Sequence, residues 1–257
     1  MRDAGGLDRD TLRVMKGRRT HAPNSRCDAL GRAFKGSQLQ LQIYVNRHRD
    51  VLEAAIRAAL PALANAKRIE WVSPLETDAF REYRDAAFLH KVRLPGLHRD
   101  LATFWPARGP VWDGLAVVEL ATKSGVLLVE GKGYPDELYG GGCKATSDES
   151  RRLISKALED TQQWLGLRQD ARAWLGPLYQ SANRLAYLYF LRRLGVEAWL
   201  LHVCFTDDMT HVPVPEKEWS IALRTAESRL GLIDTEYAAA VFLPAKHRAV
   251  LLQRASM

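Results

Sequence analysis

The run from Pro110 to Gly133, PVWDGLAVVELATKSGVLLVEGKG, leaves few local conformations open. Two stretches rich in Val, Leu and Ala flank Thr122 to Gly125, where Lys-Ser-Gly supplies turn chemistry, and this pattern predicts a β-hairpin. Three charged residues interrupt it. Asp113 stands at the mouth of the first predicted strand, and Glu130 and Lys132 stand two apart near the end of the second. Side chains alternate across a strand, so the Glu130 carboxylate and the Lys132 ammonium share one face of the sheet. Closing the hairpin carries Asp113 toward them.

Two carboxylates beside a lysine are what metal-assisted phosphodiester hydrolysis needs. Mg²⁺ takes oxygen ligands and is usually held by one or two carboxylates, leaving coordination positions for water and a phosphate oxygen. On this reading Asp113 and Glu130 hold the metal, and Lys132 orients or deprotonates the attacking water or neutralises charge on the reacting phosphate. The plainer alternative is a surface hairpin with an ordinary Glu–Lys pair. Context favours the first: Glu130-Gly-Lys132 is the only Asp/Glu-x-Lys in the chain, and it ends a run of five apolar or Gly residues.

Asp113 followed by Glu130-Gly131-Lys132 on the next strand resembles the signature of the PD-(D/E)xK nuclease superfamily, the restriction-endonuclease-like fold, and looks like a bacterial branch of it. The resemblance implies an α/β protein with an αβββαβ core, a central mixed sheet flanked by helices. It also implies Mg²⁺ (or Mn²⁺) as cofactor and hydrolysis of nucleic-acid phosphodiesters, with DNA the favoured substrate. Asp113, Glu130 and Lys132 fall at the catalytic positions, the two acids at the metal. One departure is visible: Val111 and Trp112 separate Pro110 from Asp113, so the literal Pro-Asp pair is absent. The alternative within the same fold is an inactive module that grips nucleic acid or protein without cutting.

The helix expected from Tyr179 to Leu194 bears on the same site. It is apolar around most of its circumference, yet Gln180, Asn183, Arg184 and Tyr187 form one stripe at i, i+3, i+4 and i+7. Buried polar groups need partners, so such a stripe points to a polar cleft, with solvent exposure as the alternative. In the superfamily the helix after the Glu-x-Lys strand lends polar residues to the active site. The resemblance therefore assigns Gln180 and Arg184 to holding the scissile phosphate or the catalytic lysine. Nucleases of this fold often draw an extra acid from the helix before the hairpin, so the resemblance makes Glu82 or Glu53 a candidate ligand, with a solvated helix carboxylate the favoured reading for either.

Other chemistries find no support. The glycines at 131, 133 and 140 to 142 do not satisfy the P-loop pattern, the seven His show no H-x-x-x-H spacing, and there is no G-x-S-x-G. Cys27, Cys143 and Cys204 are odd in number and far apart, which argues against a disulfide framework and, with a start lacking an apolar signal region, fits a reducing cytoplasm. No window is apolar enough to span a membrane. The net charge of +7 invites a nucleic-acid partner. However, residues 1–35 hold nine Lys/Arg against four Asp, a surplus of five, which leaves the remainder only weakly basic.

The chain divides into a basic, irregular leader over residues 1–33 and one domain over 34–257. Gln38 to Val45 alternates polar and apolar residues, a strand pattern that a helix would also accommodate. A helix follows over Leu52 to Leu60, a strand over Lys67 to Val72, and a helix over Glu76 to Lys91. Thr146-x-x-Glu149 resembles a capping box for the next helix. Glu197 to Phe205 reads as a buried strand, Asp207-Asp208 as a turn, Glu216 to Leu230 as a helix and Ala238 to Leu243 as an edge strand.

Overall fold

The structure is a computed structural model that describes residues 26–168, 171–232 and 235–253. Besides short 3-10 turns, its elements in chain order are α1 (Gly36–Arg47), α2 (Arg49–Ala59), β1 (Arg68–Ser73), α3 (Asp85–Lys91), α4 (His98–Phe104), β2 (Gly114–Glu119), β3 (Ser124–Lys132), α5 (Asp148–Trp164), α6 (Ala171–Leu175), α7 (Tyr179–Arg193), β4 (Glu197–Thr206), α8 (Glu216–Leu230), β5 (Ala238–Pro244) and α9 (Ala249–Leu252). The expected hairpin forms between β2 and β3, in antiparallel register from Gly114 opposite Val129 to Glu119 opposite Ser124. Its turn is closed by the Leu120 amide donating to the Lys123 carbonyl at 2.9 Å.

Five strands make one mixed sheet in the order β1-β2-β3-β4-β5. The first three pair antiparallel and the last two add parallel to β3. A parallel neighbour requires a crossover, and the α5 to α7 segment provides it between β3 and β4. At the start of that pairing Gly125 is needed for space. A Cβ there would lie 2.8 Å from the Glu197 carbonyl oxygen and 2.6 Å from the Trp199 ring.

Alternation along the strands separates two cores. Val126 and Leu128 of β3, with Ala198, Leu200 and Cys204 of β4, face α5, α7 and α8. Leu127 and Val129, with Trp199, Leu201, Val203 and Phe205, face α1 and α2. Glu130 and Lys132 continue the even-numbered series, which turns both toward α7.

One reading left open is decided and two local expectations are corrected. Gln38 to Val45 is helical, part of α1, and the period-2 alternation is incidental because nearly the whole helix is buried. The Gln40 amide donates to the Lys246 carbonyl at 3.0 Å, and the Gln42 side chain bridges the Ala33 amide and the Gly31 carbonyl. Glu76 to Lys91 is not one helix. A 3-10 turn at Glu76–Asp78 is followed by Ala79 and Phe80 at φ of 48° and 54°, a left-handed excursion that ends helical hydrogen bonding, so Glu82 lies in an irregular segment. The α5 N-cap is Ser147, not Thr146, and its hydroxyl accepts from the Ser150 amide. At the other end of the chain, β5 is the predicted edge strand. The described chain begins at Arg26, where Cys27 and Ala33 form a β-bridge; most of the basic leader lies outside the described residues.

Candidate active site

Glu130 lies near the C-terminal end of β3, and its two oxygens take three donors. Oε1 accepts from Lys132 Nζ at 2.9 Å and from Gln180 Nε2 at 3.0 Å, and Oε2 accepts from Arg184 Nε at 2.6 Å. Lys132 Nζ also donates to Gln180 Oε1 at 2.9 Å, so Glu130, Lys132 and Gln180 close a triangle. The residues are deeply placed: Glu130, Lys132 and Arg184 are 2%, 3% and 4% exposed. Burying three charges is tolerable only because each is paired and hydrogen-bonded.

The α7 stripe faces this cluster rather than solvent. Gln180 and Arg184 enter it one helical turn apart, as i, i+4 residues must. Asn183 supports Arg184, its Oδ1 accepting from Nη1 at 2.9 Å, while Nη2 donates to the Val111 carbonyl at 2.9 Å. The guanidinium lies over the Trp112 ring, 4.9 Å from its centroid. Tyr187 turns away from the acids and packs edge-on against Trp105 and Trp112, adding no polar contact to the cluster.

Asp113, the residue before β2, is half-buried and reaches the adjoining strand: its Oδ2 accepts from the Gly131 amide at 2.9 Å. The hairpin therefore ties Asp113 to the residue between Glu130 and Lys132. Glu82 is close enough for its charge to act on both acids, and its carboxylate accepts from Gln38 Nε2 at 2.9 Å. Glu53 belongs elsewhere; its charged neighbours are Arg49, Arg57 and Asp50.

The electrostatics split the acids. Burial would raise the Glu130 carboxyl, but the Arg184 guanidinium and Lys132 ammonium outweigh it and bring it down to about 2. Asp113 is pushed well above the usual carboxylate range, first by burial and then by the charges of Glu130 and Glu82. Glu82 is raised as well, by burial and by Glu130, against the Gln38 hydrogen bond. Two carboxyls held above their ordinary range, in both cases first by burial, thus stand beside a third that two cations keep ionised.

His202 belongs to no sequence motif, yet it is the Cα partner of Glu130 across the β3–β4 ladder and shares its face. Burial lowers its imidazole to about 4, so it is neutral near pH 7. It also lines a cavity of about 370 Å³ between α7, α8 and β5. The only hint in the sequence is one polar residue inside an otherwise apolar strand.

Asp113 and Glu130 are the two carboxylates that a divalent cation could share, the number on which Mg²⁺ commonly relies, although three donors already engage Glu130. Among the described residues no group of three or more His, Cys, Asp or Glu is arranged to hold a metal ion, so Glu82 does not complete a three-carboxylate set. No family model, curated protein or solved structure matches the chain.

Proposed function

We propose that the chain is a metal-dependent nuclease, a hydrolase of nucleic-acid phosphodiesters with DNA as its favoured substrate, built on the αβββαβ core of the PD-(D/E)xK superfamily. One observation carries the reading: Asp113, Glu130 and Lys132 come from adjoining strands to one place, and α7 adds Gln180 and Arg184 there. The element order and the mixed sheet are compatible with that core.

The carboxylates of Asp113 and Glu130 would hold Mg²⁺ or Mn²⁺. When bound, the ion supplies a Lewis acid for a phosphate oxygen and an acidified water. The Gly131 amide fixes the Asp113 side chain, and with two lone-pair sites per carboxylate oxygen, accepting one hydrogen bond does not exhaust its capacity. Gln180 holds the Lys132 ammonium from one side while Glu130 holds it from the other, so the lysine is oriented before substrate arrives. Such preorganisation is where an electrostatic site gains its rate advantage. Among the described residues no helix is long and apolar enough to cross a membrane.

The test is cleavage of labelled single- and double-stranded DNA and RNA in Mg²⁺ or Mn²⁺, with EDTA, Asp113→Ala and Lys132→Ala as controls. Metal-dependent cleavage is expected, with a loss of about 10²-fold or more in either variant, the scale at which removing one electrostatic contact to a transition state is felt. Nucleic-acid binding without cleavage in the unsubstituted protein would instead identify an inactive binding module.

A further inference from the structure

The hydrogen bonds on Glu130 leave little room for a metal. Each carboxylate oxygen offers two lone-pair directions; Lys132 and Gln180 use both on Oε1, and Arg184 takes one on Oε2 at 2.6 Å. The remaining direction lies beside a guanidinium. A divalent cation approaching Glu130 therefore meets a like charge at hydrogen-bond range in a site nearly closed to water, where charge repulsion is weakly screened. Nor is Arg184 a loose surface arginine. Asn183, the Val111 carbonyl and the Trp112 ring fix the rest of its guanidinium, and the residue is 4% exposed.

We propose that Arg184 is an internal competitor for the metal site: its guanidinium caps Glu130, and it must yield Oε2 before a divalent cation is shared by Asp113 and Glu130. This rests on the nuclease reading and adds to it a positioning residue that sets metal affinity, distinct from any grip on substrate. A guanidinium is always charged and forms a directional fork, so Arg184 offers Glu130 a standing neutralising partner. The device also biases the site against weakly held cations.

Calorimetric titration of Mn²⁺ into the full chain tests it, with Arg184→Met, Arg184→Lys and Asp113→Asn beside the unsubstituted protein. Arg184→Met, which removes the charge but keeps the bulk, is expected to bind Mn²⁺ at least about tenfold more tightly. Arg184→Lys, which keeps the charge, is expected to stay close to the parent, and Asp113→Asn to lose binding. A second measurement needs no variant to fold. In the unsubstituted protein labelled with ¹⁵N, the Arg184 Nε–H resonance reports its carboxylate hydrogen bond, and it should move on addition of Mg²⁺ in step with binding. A folded Arg184→Met protein that binds no more tightly than the parent, or an Nε–H signal that stays fixed while Mg²⁺ binds, overturns the role of Arg184 alone. Absence of divalent-ion binding in every form overturns the nuclease reading with it.

Discussion

Replacing Glu130 by Gln removes the charge that Arg184 and Lys132 share while keeping the side chain's size. Arg184 and Lys132 bring the carboxyl down to about 2 in the fold against an ordinary value of 4.5, and at about 1.4 kcal/mol per pH unit this depression links ionisation to on the order of 3 to 4 kcal/mol of stability. Breaking a buried ion pair by removing one partner costs a similar 3 to 5 kcal/mol or so, because the partner charges stay buried. In a chain of this size about 3 kcal/mol lowers the melting temperature by roughly 6 to 12 °C. Because the folded value is depressed, the stabilisation is present above about pH 4.5 and fades as pH falls toward about 2. Urea unfolding of Glu130→Gln and the unsubstituted protein, followed by tryptophan fluorescence, should therefore give a gap that is constant near neutrality and narrows below about pH 4.5. A gap below about 1 kcal/mol at pH 7, or one that does not narrow in acid, would refute the ion-pair account of this site.

Asp113→Asn should have the opposite effect on stability. Asp113 is raised in the fold by burial and by Glu130 and Glu82, so its ionisation weakens the fold as pH rises through the elevated value, and the neutral amide should raise the melting temperature at pH 8 with no gain below about pH 3.8; thermal melts at both pH values check this. Ser147→Ala removes the hydroxyl that caps α5 and should cost about 1 kcal/mol in urea unfolding at any pH where the protein is folded. Gly125→Ala would place a Cβ within 2.8 Å of the Glu197 backbone oxygen and should destabilise the β3–β4 pairing by about 1 to 3 kcal/mol, the cost of overpacking, measured in the same way.

What can be read in advance follows from how strictly each pattern is tied to geometry. Period-2 alternation places Glu130 and Lys132 on one face whatever surrounds them, and helical spacing brings Gln180 and Arg184 to one side of α7; both expectations hold because they depend only on backbone form. Alternation misleads at Gln38 to Val45, where α1 is enclosed on nearly every side and Gln40 and Gln42 are satisfied internally, so polarity no longer marks the solvent face. The spacing around Glu82 predicts a helix because nothing in it reveals the left-handed turn at Ala79 and Phe80. His202 shows in the sequence only as one polar residue in an apolar strand, because its place beside Glu130 is set by a parallel ladder between residues 72 positions apart. The capping of Glu130 by Arg184 is equally hidden, since spacing places a side chain on a face but does not choose its partner.

Diffraction from crystals grown with Mn²⁺, recorded where manganese scatters anomalously, tests the central claim most directly. An ion shared by Asp113 and Glu130 should give an anomalous peak about 2.2 Å from an oxygen of each carboxylate, and the peak should be missing from Asp113→Asn crystals. Mn²⁺ found only at other positions, with Glu130 still fully engaged by Lys132, Gln180 and Arg184, would contradict it.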